Sequence, residues 1–273
     1  MKLPEFPRAV VTGGGSGLGR AICLALAERR GRVLVADVNL EGAEETARLV
    51  EAAGGRAVAM RVDVGEIADV EAMAESIRRA FGGVDLLVNN AGVAVAGEVG
   101  EVPLEDWHWI LRINLMGVVH GCHVFAPIFK AQKSGFILNV ASNAGIASLP
   151  EMAPYNVSKA AVIALSETLY SELGASGVAV SALCPTFFKT NLLSTMRSSD
   201  ELQRKKAQAF FERSKITAEE VARIALEGLE AGEPIIIPQA DGNLVHALKR
   251  LSPQLYLKLL RFGKRRGLTD KLA

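Results

Sequence analysis

Seven short apolar segments rich in β-branched residues alternate along the chain with longer segments in which apolar residues recur every three or four positions. The short segments predict strands over residues 9–12, 32–37, 57–62, 86–89, 136–140, 178–184 and 235–238. The longer segments predict helices over residues 18–29, 41–53, 67–81, 105–130, 154–173 and 218–231. Buried strands that alternate with helices form parallel sheets through right-handed crossovers. The sequence therefore predicts an α/β fold, a doubly wound parallel sheet of about seven strands with helices on both faces.

The absence of repeats, low-complexity tracts and long Pro/Gly/Ser linkers predicts a single domain over residues 1–273, with its core at about 8–238. Two segments depart from the alternating pattern. Residues 191–214 are polar, charged and helix-prone, and they lie between the sixth strand and the next helix, where a lid over a ligand is expected. Residues 245–273 form a basic amphipathic, helical tail in which Leu, Tyr and Phe are interleaved with Lys and Arg.

The composition disfavours several classes of protein. With 31 basic and 30 acidic residues the chain is nearly neutral, so no nucleic-acid partner is expected. The cysteines Cys23, Cys122 and Cys184 are odd in number and lie in apolar segments, which predicts reduced thiols in a cytoplasmic protein. The N-terminus lacks a signal-peptide pattern and no segment reaches the length of a bilayer span, so neither secretion nor membrane spanning is expected.

Two histidines have a spacing that can hold a metal ion. His120 and His123 lie three positions apart on a predicted helix. No third ligand accompanies them in the sequence, so two helix-surface histidines are favoured and no metal site is expected.

A glycine-rich turn connects the first predicted strand to the first predicted helix. Within TGGGSGLG, residues 12–19, Gly13, Gly17 and Gly19 leave the backbone free to turn sharply and to approach a pyrophosphate. The N–H groups at the start of the helix can then bind the negative charge. The spacing differs from G-x-G-x-x-G, and a tight structural turn alone can produce it. Its place between a strand and a helix favours dinucleotide binding.

Acidic residues end the second and third predicted strands, on the side where a dinucleotide would place its adenosine. Asp37 can accept hydrogen bonds from the ribose hydroxyls, while its charge repels a 2′-phosphate. No Lys or Arg follows at Val38 or Asn39, so NAD is expected over NADP. Asp63 ends the third strand, where it can reach the adenine or serve as an ordinary turn residue.

A tyrosine and a lysine have the spacing of one helical turn. Tyr155 and Lys159 lie four positions apart in PYNVSKAAV, so on a helix they share one face about one turn, ~5.4 Å, apart. A phenol has a reference pKa of ~10, and an adjacent ammonium together with a positive nicotinamide ring stabilises the phenolate. Ser142 ends the fifth strand, and its hydroxyl can hold a substrate oxygen while Tyr155 exchanges the proton.

From about residue 8 to residue 238 the chain resembles the short-chain dehydrogenase/reductase family, in its main single-domain branch of Rossmann-type enzymes. The resemblance is carried, in family order, by TGGGSGLG at 12–19, Asp63, NNAG at 89–92, Asn114, Ser142 and YNVSK at 155–159. It implies that Tyr155 is the acid/base, that Lys159 lowers its pKa and holds the nicotinamide ribose, and that Ser142 orients the substrate. It also implies that Asn114 bends its helix to complete a water-linked proton relay.

The catalytic residues expected from this resemblance are Asn114, Ser142, Tyr155 and Lys159. The expected cofactor-binding residues are Gly13, Ser16, Gly17, Leu18, Gly19, Asp37, Asp63, Val64, Asn90, Ala91, Gly92, Tyr155, Lys159, Pro185 and Thr190. The segment CPTF at 184–187 departs from the family because Thr186 replaces the usual glycine, which puts the geometry of this loop in doubt. Thr190 falls where the family places a hydroxyl on the nicotinamide carboxamide.

These features predict an NAD(H)-dependent oxidoreductase that interconverts a primary or secondary alcohol and its aldehyde or ketone. The lid and the tail indicate a small hydrophobic substrate, such as a steroid, a retinoid or a long-chain alcohol. Two alternatives stay open: a non-catalytic protein that senses dinucleotide or acts as a scaffold, and an NADPH-dependent carbonyl reductase. The helices predicted at 105–130 and 154–173 resemble those that pair subunits in the family, so a homodimer or homotetramer is expected.

The tail has two interpretations. In the first, Leu255, Leu259 and Phe262 pack on the domain or on a partner subunit, and the basic residues are solvated. In the second, the tail is an amphipathic helix that lies on an anionic membrane surface, which would make the protein membrane-associated. The sequence favours packing.

Overall fold

The computed structural model describes residues 1–188, 192, 195–198, 214 and 216–267. The strands in this part of the chain are β1 (Arg8–Thr12), β2 (Arg32–Asp37), β3 (Arg56–Arg61), β4 (Leu86–Asn89), β5 (Val95–Ala96), β6 (Gly135–Val140), β7 (Val178–Leu183), β8 (Arg197–Ser198) and β9 (Ile235–Ile236). The α-helices are α1 (Gly17–Ala27), α2 (Leu40–Ala52), α3 (Ile67–Phe81), α4 (Leu104–Leu111), α5 (Gly117–Gln132), α6 (Asn143–Ala147), α7 (Ala153–Gly174), α8 (Ala218–Ala231), α9 (Ala240–Leu251) and α10 (Pro253–Arg265).

Seven strands form one sheet in the order β3-β2-β1-β4-β6-β7-β9, and all neighbouring strands are parallel. The sheet starts at β1, successive strands are added outward to β3, and β4 is then added on the other side of β1. Val10 of β1 is thus aligned with Leu34 of β2 on one side and with Leu87 of β4 on the other. This reversal opens a crevice at the carboxyl ends of β1 and β4, the usual ligand site of such sheets. The predicted doubly wound, Rossmann-type parallel sheet is confirmed.

Alternate residues of each strand face opposite helical layers, because successive side chains in a strand point to opposite faces. Val10 belongs to the cluster that contains Phe125 of α5, and the neighbouring Val11 belongs to the cluster that contains Ile22 of α1. All four side chains are fully buried. The near-continuous apolar runs of the sequence are therefore explained by a sheet that is covered on both faces.

The helix predicted over residues 105–130 consists of α4, a π-helical turn at Arg112–Met116, and α5. By length and composition alone, the run Leu104–Gln132 is long and apolar enough to cross a membrane, so the expectation that no segment has this length is wrong. Packing on the sheet accounts for the apolar composition, since Phe125 and Phe129 are fully buried there. A core-facing helix of an α/β domain needs such a stripe.

Most of the predicted lid, residues 191–214, lies outside the described residues. Within the part that is described, Arg197 and Ser198 form β8 and pair in parallel with Val95 and Ala96 of β5. This small second sheet has no counterpart among the predicted strands, because strands of two residues carry no periodicity.

The C-terminal tail begins as a helix at Ala240, five residues earlier than the predicted tail, and is broken at Ser252. Pro253 explains the break, because proline lacks the N–H that would continue α9 yet suits the first turn of α10. The broken helix thereby becomes two shorter helices that contact each other.

The tail packs on the domain, but not through the side chains that the sequence analysis proposed. The Tyr256 hydroxyl is buried and donates to the carbonyl oxygen of Ala147 at 2.8 Å. Leu255, Leu259 and Phe262 are instead 54%, 55% and 51% exposed. Packing on the domain is therefore confirmed for the described part of the tail, but these three residues do not take part in it, and their packing on a partner subunit stays a prediction.

Candidate active site

A cavity of about 780 Å³ occupies the crevice at the carboxyl ends of the central strands. One end of the cavity is lined by the glycine turn and Asp37, and the other end by Ser142, Tyr155 and Lys159. The cavity wall includes most of the predicted site residues: Gly13, Ser16, Gly17, Leu18, Asp37, Asp63, Val64, Asn90, Ala91, Gly92, Ser142, Tyr155, Lys159 and Pro185. Thr190 lies outside the described residues, and neither Gly19 nor Asn114 lines the cavity.

The glycine turn is held by the segment that follows β4. Gly13 and Gly17 have φ angles of +61° and +52°, which L side chains rarely adopt. A Cβ on Gly19 would collide with the carbonyl oxygen of Gly13. The Asn90 amide donates to the carbonyl oxygens of Thr12 at 2.9 Å and Gly13 at 3.0 Å. Asn90 and Gly19 therefore shape the turn, and Gly17 and Leu18 at the start of α1 line the cavity that the turn borders.

Asp37 lies between the glycine turn and the start of α2. Its carboxylate accepts hydrogen bonds from the backbone N–H groups of Gly15 and Asn39, each at 2.9 Å. Both bonds fix the carboxylate at the edge of the cavity, at the end of β2 where the sequence placed it. Among the described residues that line the cavity, the basic side chains are Arg112 and Lys159.

Arg112 neutralises Asp63, which the sequence analysis did not foresee. Its guanidinium lies 3.0 Å from the carboxylate of Asp63 and 3.1 Å from that of Glu66. Asp63 also accepts a hydrogen bond from the Gly65 N–H at 2.9 Å. Burial raises the pKa of Asp63, but the bonds from Arg112 and Gly65 outweigh it and hold the pKa below its usual range. The carboxylate thus serves the turn after β3 as well as lining the cavity.

His120, the histidine that the sequence analysis singled out with His123, contacts this same turn. Its Nδ1 lies 2.9 Å from the carbonyl oxygen of Val64. The next histidine, His123, is exposed on the helix surface. The two rings therefore have different surroundings, as expected for residues placed by the packing of α5.

Tyr155 and Lys159 meet at the other end of the cavity, on the first turns of α7. Their side chains are almost completely buried, and the Lys159 Nζ lies 5.8 Å from the centre of the Tyr155 ring. Lys159 also donates to the carbonyl oxygen of Val140 at 2.8 Å. This bond ties the lysine to the end of β6, so its ammonium stays beside the phenol.

Ser142 completes the group. It caps the N-terminus of α6, where its hydroxyl accepts a hydrogen bond from the Ala144 N–H at 3.1 Å, and it lines the cavity together with Tyr155. Burial raises the pKa of Tyr155 to about 12, against a smaller lowering by the polar Ser142 side chain. Burial lowers the pKa of Lys159 to about 8. Because Tyr155 and Lys159 are buried, the protonation of each side chain depends strongly on nearby charge.

Asn114 supports the group from behind and is fully buried in the π-helical turn. Its amide exchanges two hydrogen bonds with the backbone of Val93, at 2.8 and 2.9 Å, and donates to the Ser158 hydroxyl at 3.1 Å. The widened turn lets the Asn114 side chain reach both the loop after β4 and the helix α7. The helix distortion implied at Asn114 is present, and the proton relay stays a prediction.

Thr186, which replaces the family's glycine, is accommodated by the tail. Its N–H donates to the side-chain oxygen of Gln239 at 2.9 Å, and its hydroxyl lies 3.3 Å from the carboxylate of Asp241. Its φ is not in the left-handed region, so no glycine is required there. The side chain of Thr186 therefore joins the loop after β7 to the start of α9.

The end of the cavity beyond Tyr155 is apolar. Its walls come from the loop after β4, α4, the loop before α7, the segment after β7 and α9, through Val93, Ala94, Trp109, Leu149, Met152, Phe187, Phe188, Leu192, Met196 and Val245. Arg197 fixes one wall, because its guanidinium lies 3.8 Å over the Trp109 ring and 2.7 Å from the carboxylate of Asp106. No sequence motif indicates this clamp, since cation–π pairs follow only from tertiary structure.

Comparison with known proteins agrees with this geometry. A family model described as short chain dehydrogenase matches residues 7–201. The chain therefore belongs to the short-chain dehydrogenase/reductase family. It is 31% identical over 259 residues to a Mycobacterium tuberculosis protein named oxidoreductase SadH, and the matched region covers 93% of this chain and 94% of that protein.

Two further relatives extend the comparison. The chain is 37% identical over 184 residues to a D-threitol dehydrogenase of Mycolicibacterium smegmatis, covering 67% of this chain and 71% of that enzyme. It also superimposes on a crystal structure of a short-chain dehydrogenase/reductase from Burkholderia phymatum in complex with NAD. That comparison gives a TM-score of 0.86 and 34% identity, and covers 92% of this chain and 95% of that one.

Proposed function

We propose that this protein is an NAD(H)-dependent oxidoreductase that interconverts an alcohol and its aldehyde or ketone, with Tyr155 as the acid/base. The observation that supports this proposal most is one cavity with the glycine turn and Asp37 at one end and Ser142, Tyr155 and Lys159 at the other. The presence of Ser142, Tyr155 and Lys159 argues against a protein that only senses dinucleotide or acts as a scaffold, because such a protein needs no buried proton donor.

The residues present fit a nicotinamide dinucleotide. Side-chain-free backbone at Gly13, Gly15 and Gly17 lines the cavity at the N-terminus of α1, where the helix dipole favours a pyrophosphate. Asp37 would hold the adenosine ribose, and Lys159 the nicotinamide ribose. The bound dinucleotide would supply the hydride acceptor or donor at its nicotinamide ring.

The chain's own residues would orient the substrate and move a proton. Ser142 and Tyr155 hydrogen-bond the substrate oxygen, and Tyr155 accepts its proton in oxidation or donates one in reduction. Lys159, held by the Val140 carbonyl, stabilises the phenolate electrostatically. Almost complete burial of Tyr155 and Lys159 keeps water from competing for these groups.

The proposal includes NAD rather than NADP as the cofactor. The Asp37 carboxylate, fixed by Gly15 and Asn39, would accept from the ribose hydroxyls and repel a 2′-phosphate. Arg112 lines the cavity and has a guanidinium that could bind a phosphate, but this group already forms ion pairs with Asp63 and Glu66. The Burkholderia phymatum relative in complex with NAD is consistent with this preference.

The substrate proposed is a small hydrophobic alcohol or carbonyl compound. Large apolar side chains, among them Trp109, Met152 and Phe188, line the substrate end. Transfer of an apolar substrate from water to these walls is favourable by roughly 25 cal/mol per Å² buried. The relatives' names support the reaction class only, since D-threitol is a polar substrate.

The proposal extends to a single-domain, cytoplasmic homo-oligomer. Cys23, Cys122 and Cys184 are buried free thiols, which suits a reducing compartment. Met116 and Tyr170, on the helical run after α4 and on α7, are 40% and 44% exposed, and these helices are where the family pairs its subunits.

The test is a panel of aliphatic alcohols, steroids and retinoids, with turnover read from NADH absorbance. The Tyr155→Phe variant keeps the ring and loses the proton, so it should bind NADH with the wild-type dissociation constant and lose turnover by about 10²-fold or more. Turnover of Tyr155→Phe at the parent rate would reject the acid/base assignment, and tighter binding of NADPH than NADH would reject the cofactor assignment.

A further inference from the structure

The two C-terminal helices, α9 and α10, carry a row of exposed apolar side chains. On α9 these are Leu244, Leu248 and Leu251, and on α10 they are Leu255, Leu259 and Phe262. Within each helix the residues are three or four positions apart, so they share one face. They are between 43% and 84% exposed. This set of six residues, the leucine stripe, costs free energy in water and needs an explanation.

The leucine stripe is not a result of loose attachment, because other faces of the two helices are bound to the domain. Lys249 of α9 donates to the carbonyl oxygen of Ile146 at 2.5 Å, and Tyr256 of α10 donates to Ala147 at 2.8 Å. Lys264 forms ion pairs with Glu98, at 2.9 Å, and with Glu151. These three anchors fix the rotation of the helices, and the stripe stays outside.

Basic side chains are concentrated on the same two helices. Residues 240–267 contain seven Lys or Arg and one acidic residue, Asp241, whereas the whole chain has a net charge of only +1. The rest of the chain is therefore net negative, and positive charge is concentrated on these helices. Of these seven basic residues, the exposed ones are Arg250, Lys258, Arg261, Arg265 and Arg266.

We propose that α9 and α10 form a docking surface for anionic membranes, with the leucine stripe in the lipid interface and the basic side chains on the headgroups. An amphipathic helix with Leu and Phe on one face and Lys and Arg beside it binds in this way. Each basic residue near an anionic leaflet adds to the attraction. The combination of apolar and positive groups fits this surface chemistry.

A second copy of this chain is a less suitable occupant. A two-fold contact through the leucine stripe would bring the basic residues of one copy against the same residues of the other. The like charges would repel, and the described part of the tail offers only Asp241 to offset them. An anionic leaflet has the opposite charge.

The docking surface adjoins the substrate end of the cavity. Asp241 and Val245 of α9 line the cavity, while Leu244 and Leu248 of the same helix are exposed. A docked protein would therefore hold the apolar end of its cavity close to the lipid, where hydrophobic alcohols and ketones dissolve. This last step rests on the proposed function, whereas docking itself does not.

The test uses the full chain and vesicles, and it needs no turnover. We expect the protein to sediment with vesicles of phosphatidylcholine and phosphatidylserine and to stay in solution with phosphatidylcholine alone. Raising NaCl from about 0.1 to 1 M should release most of the bound protein, because the Debye length falls from about 10 to 3 Å. Equal sedimentation with both kinds of vesicle, or no sedimentation with either, overturns the proposal.

Two pairs of variants separate the apolar and the electrostatic parts. The double variant Leu255→Gln/Leu259→Gln should weaken binding to anionic vesicles about tenfold or more. Its control is Leu40→Gln/Leu49→Gln on α2, where both leucines are 40% exposed at the opposite edge of the sheet. Lys258→Gln/Arg265→Gln should weaken binding about tenfold or more, whereas Arg48→Gln/Arg56→Gln should leave it unchanged.

Circular dichroism and NADH binding check that each variant is folded. Binding that is equal in the tail variants and in their controls overturns the proposal. The proposal is also overturned if the wild-type protein does not bind the vesicles and a tail variant changes the oligomeric state in light scattering. The leucine stripe is then a subunit contact. Vesicle binding without turnover on any alcohol would leave docking intact and reject the proposed function, so the two failures are distinguishable.

Discussion

The Nζ atom of Lys159 lies 5.8 Å from the centre of the Tyr155 ring and donates to the Val140 carbonyl oxygen at 2.8 Å. A Cβ on Gly92 would lie 3.4 Å from that Nζ, which is an ordinary van der Waals contact, so the backbone of Gly92 lies close to the ammonium. Both side chains are almost completely buried. Since solvent screens the pair little, we expect a charged Lys159 to favour the phenolate of Tyr155.

The first prediction concerns this charge and the pH dependence of oxidation. Burial, against a smaller lowering by Ser142, raises the pKa of Tyr155 to about 12, and oxidation requires the phenolate, so kcat/KM should rise with pH until the tyrosine is ionised. Lys159→Met removes the cation that favours the phenolate. We expect kcat/KM for alcohol oxidation at pH 7 to fall by about 10²-fold or more, and its pH profile to move to higher pH.

The control for this prediction is Lys159→Arg, which keeps the positive charge. It should retain a lower apparent pKa than Lys159→Met, even if the bulkier side chain reduces kcat. A Lys159→Met profile that falls in height but keeps the wild-type pKa would contradict the electrostatic role and leave only ribose binding.

The second prediction concerns cofactor choice. Asp37→Ser removes the carboxylate that the Gly15 and Asn39 N–H groups hold at the edge of the cavity. Repulsion of a 2′-phosphate is then lost, so the ratio of the dissociation constants for NADPH and NADH should fall by about tenfold or more in a fluorescence titration. Glu51→Gln, an exposed carboxylate at the far end of α2, is the control and should keep the wild-type ratio. An unchanged ratio in Asp37→Ser would show that another group selects the cofactor.

The sheet and its main helices could be predicted because their apolar periodicity is long. The helix α3 matches its predicted bounds at both ends, Ile67 and Phe81, and the strand β2 matches at Arg32 and Asp37. The π-helical turn at Arg112–Met116 is the distortion that the family resemblance implied at Asn114, but the periodicity does not predict it, since one extra residue per turn barely alters a 3.6-residue pattern. The pairing of β5 with β8 was missed because it joins segments about 100 residues apart in sequence.

The candidate catalytic group was predictable from motif spacing, and its surroundings were not. Tyr155 and Lys159 meet through helical geometry alone, and Ser142 follows from its place at the end of β6. By contrast, the bond from Tyr256 to Ala147 joins residues that are 109 positions apart, and the Arg197–Trp109 stack joins residues almost as distant. Such contacts depend on how whole elements pack, and a single sequence carries no local signal for them.

The third prediction concerns a glycine at the contact between α5 and β4. A Cβ on Gly121 would collide with the Oδ1 atom of Asn89, whose amide donates to the Asn139 side chain at 2.8 Å. Gly121→Ala must therefore displace Asn89 or break this buried bond. We expect the free energy of unfolding to fall by about 1–3 kcal/mol in urea denaturation, despite the better helix propensity of alanine.

Gly174→Ala is the matched control for Gly121→Ala. Gly174 is the last residue of α7 and a Cβ there meets no atom within 4 Å, so alanine should raise the free energy of unfolding by up to ~1 kcal/mol. Equal effects of the two substitutions would mean that the space around Gly121 is not restricted as the structure describes.

The last prediction concerns the carboxylate of Glu230, which ties the N-terminal segment to α8. It accepts from the Leu3 N–H at 3.0 Å and from the Arg29 guanidinium at 2.8 Å. Burial raises the pKa of Glu230, but these bonds outweigh it and the folded pKa lies below the usual value. A lowered pKa means that the stabilisation is complete above the unfolded pKa of ~4.3 and is lost as the pH falls through the folded value.

Glu230→Gln should therefore reduce the free energy of unfolding by about 1–3 kcal/mol at pH 7, and by progressively less below pH 4. The control is Glu227→Gln, one turn earlier on α8, whose exposed pair with Arg223 is worth about 0.3–0.5 kcal/mol. Urea denaturation of wild type and both variants from pH 3 to pH 7 gives the comparison. A Glu230→Gln deficit that stays constant across this range would mean that the lost stability comes from packing, since only the charged carboxylate can titrate away.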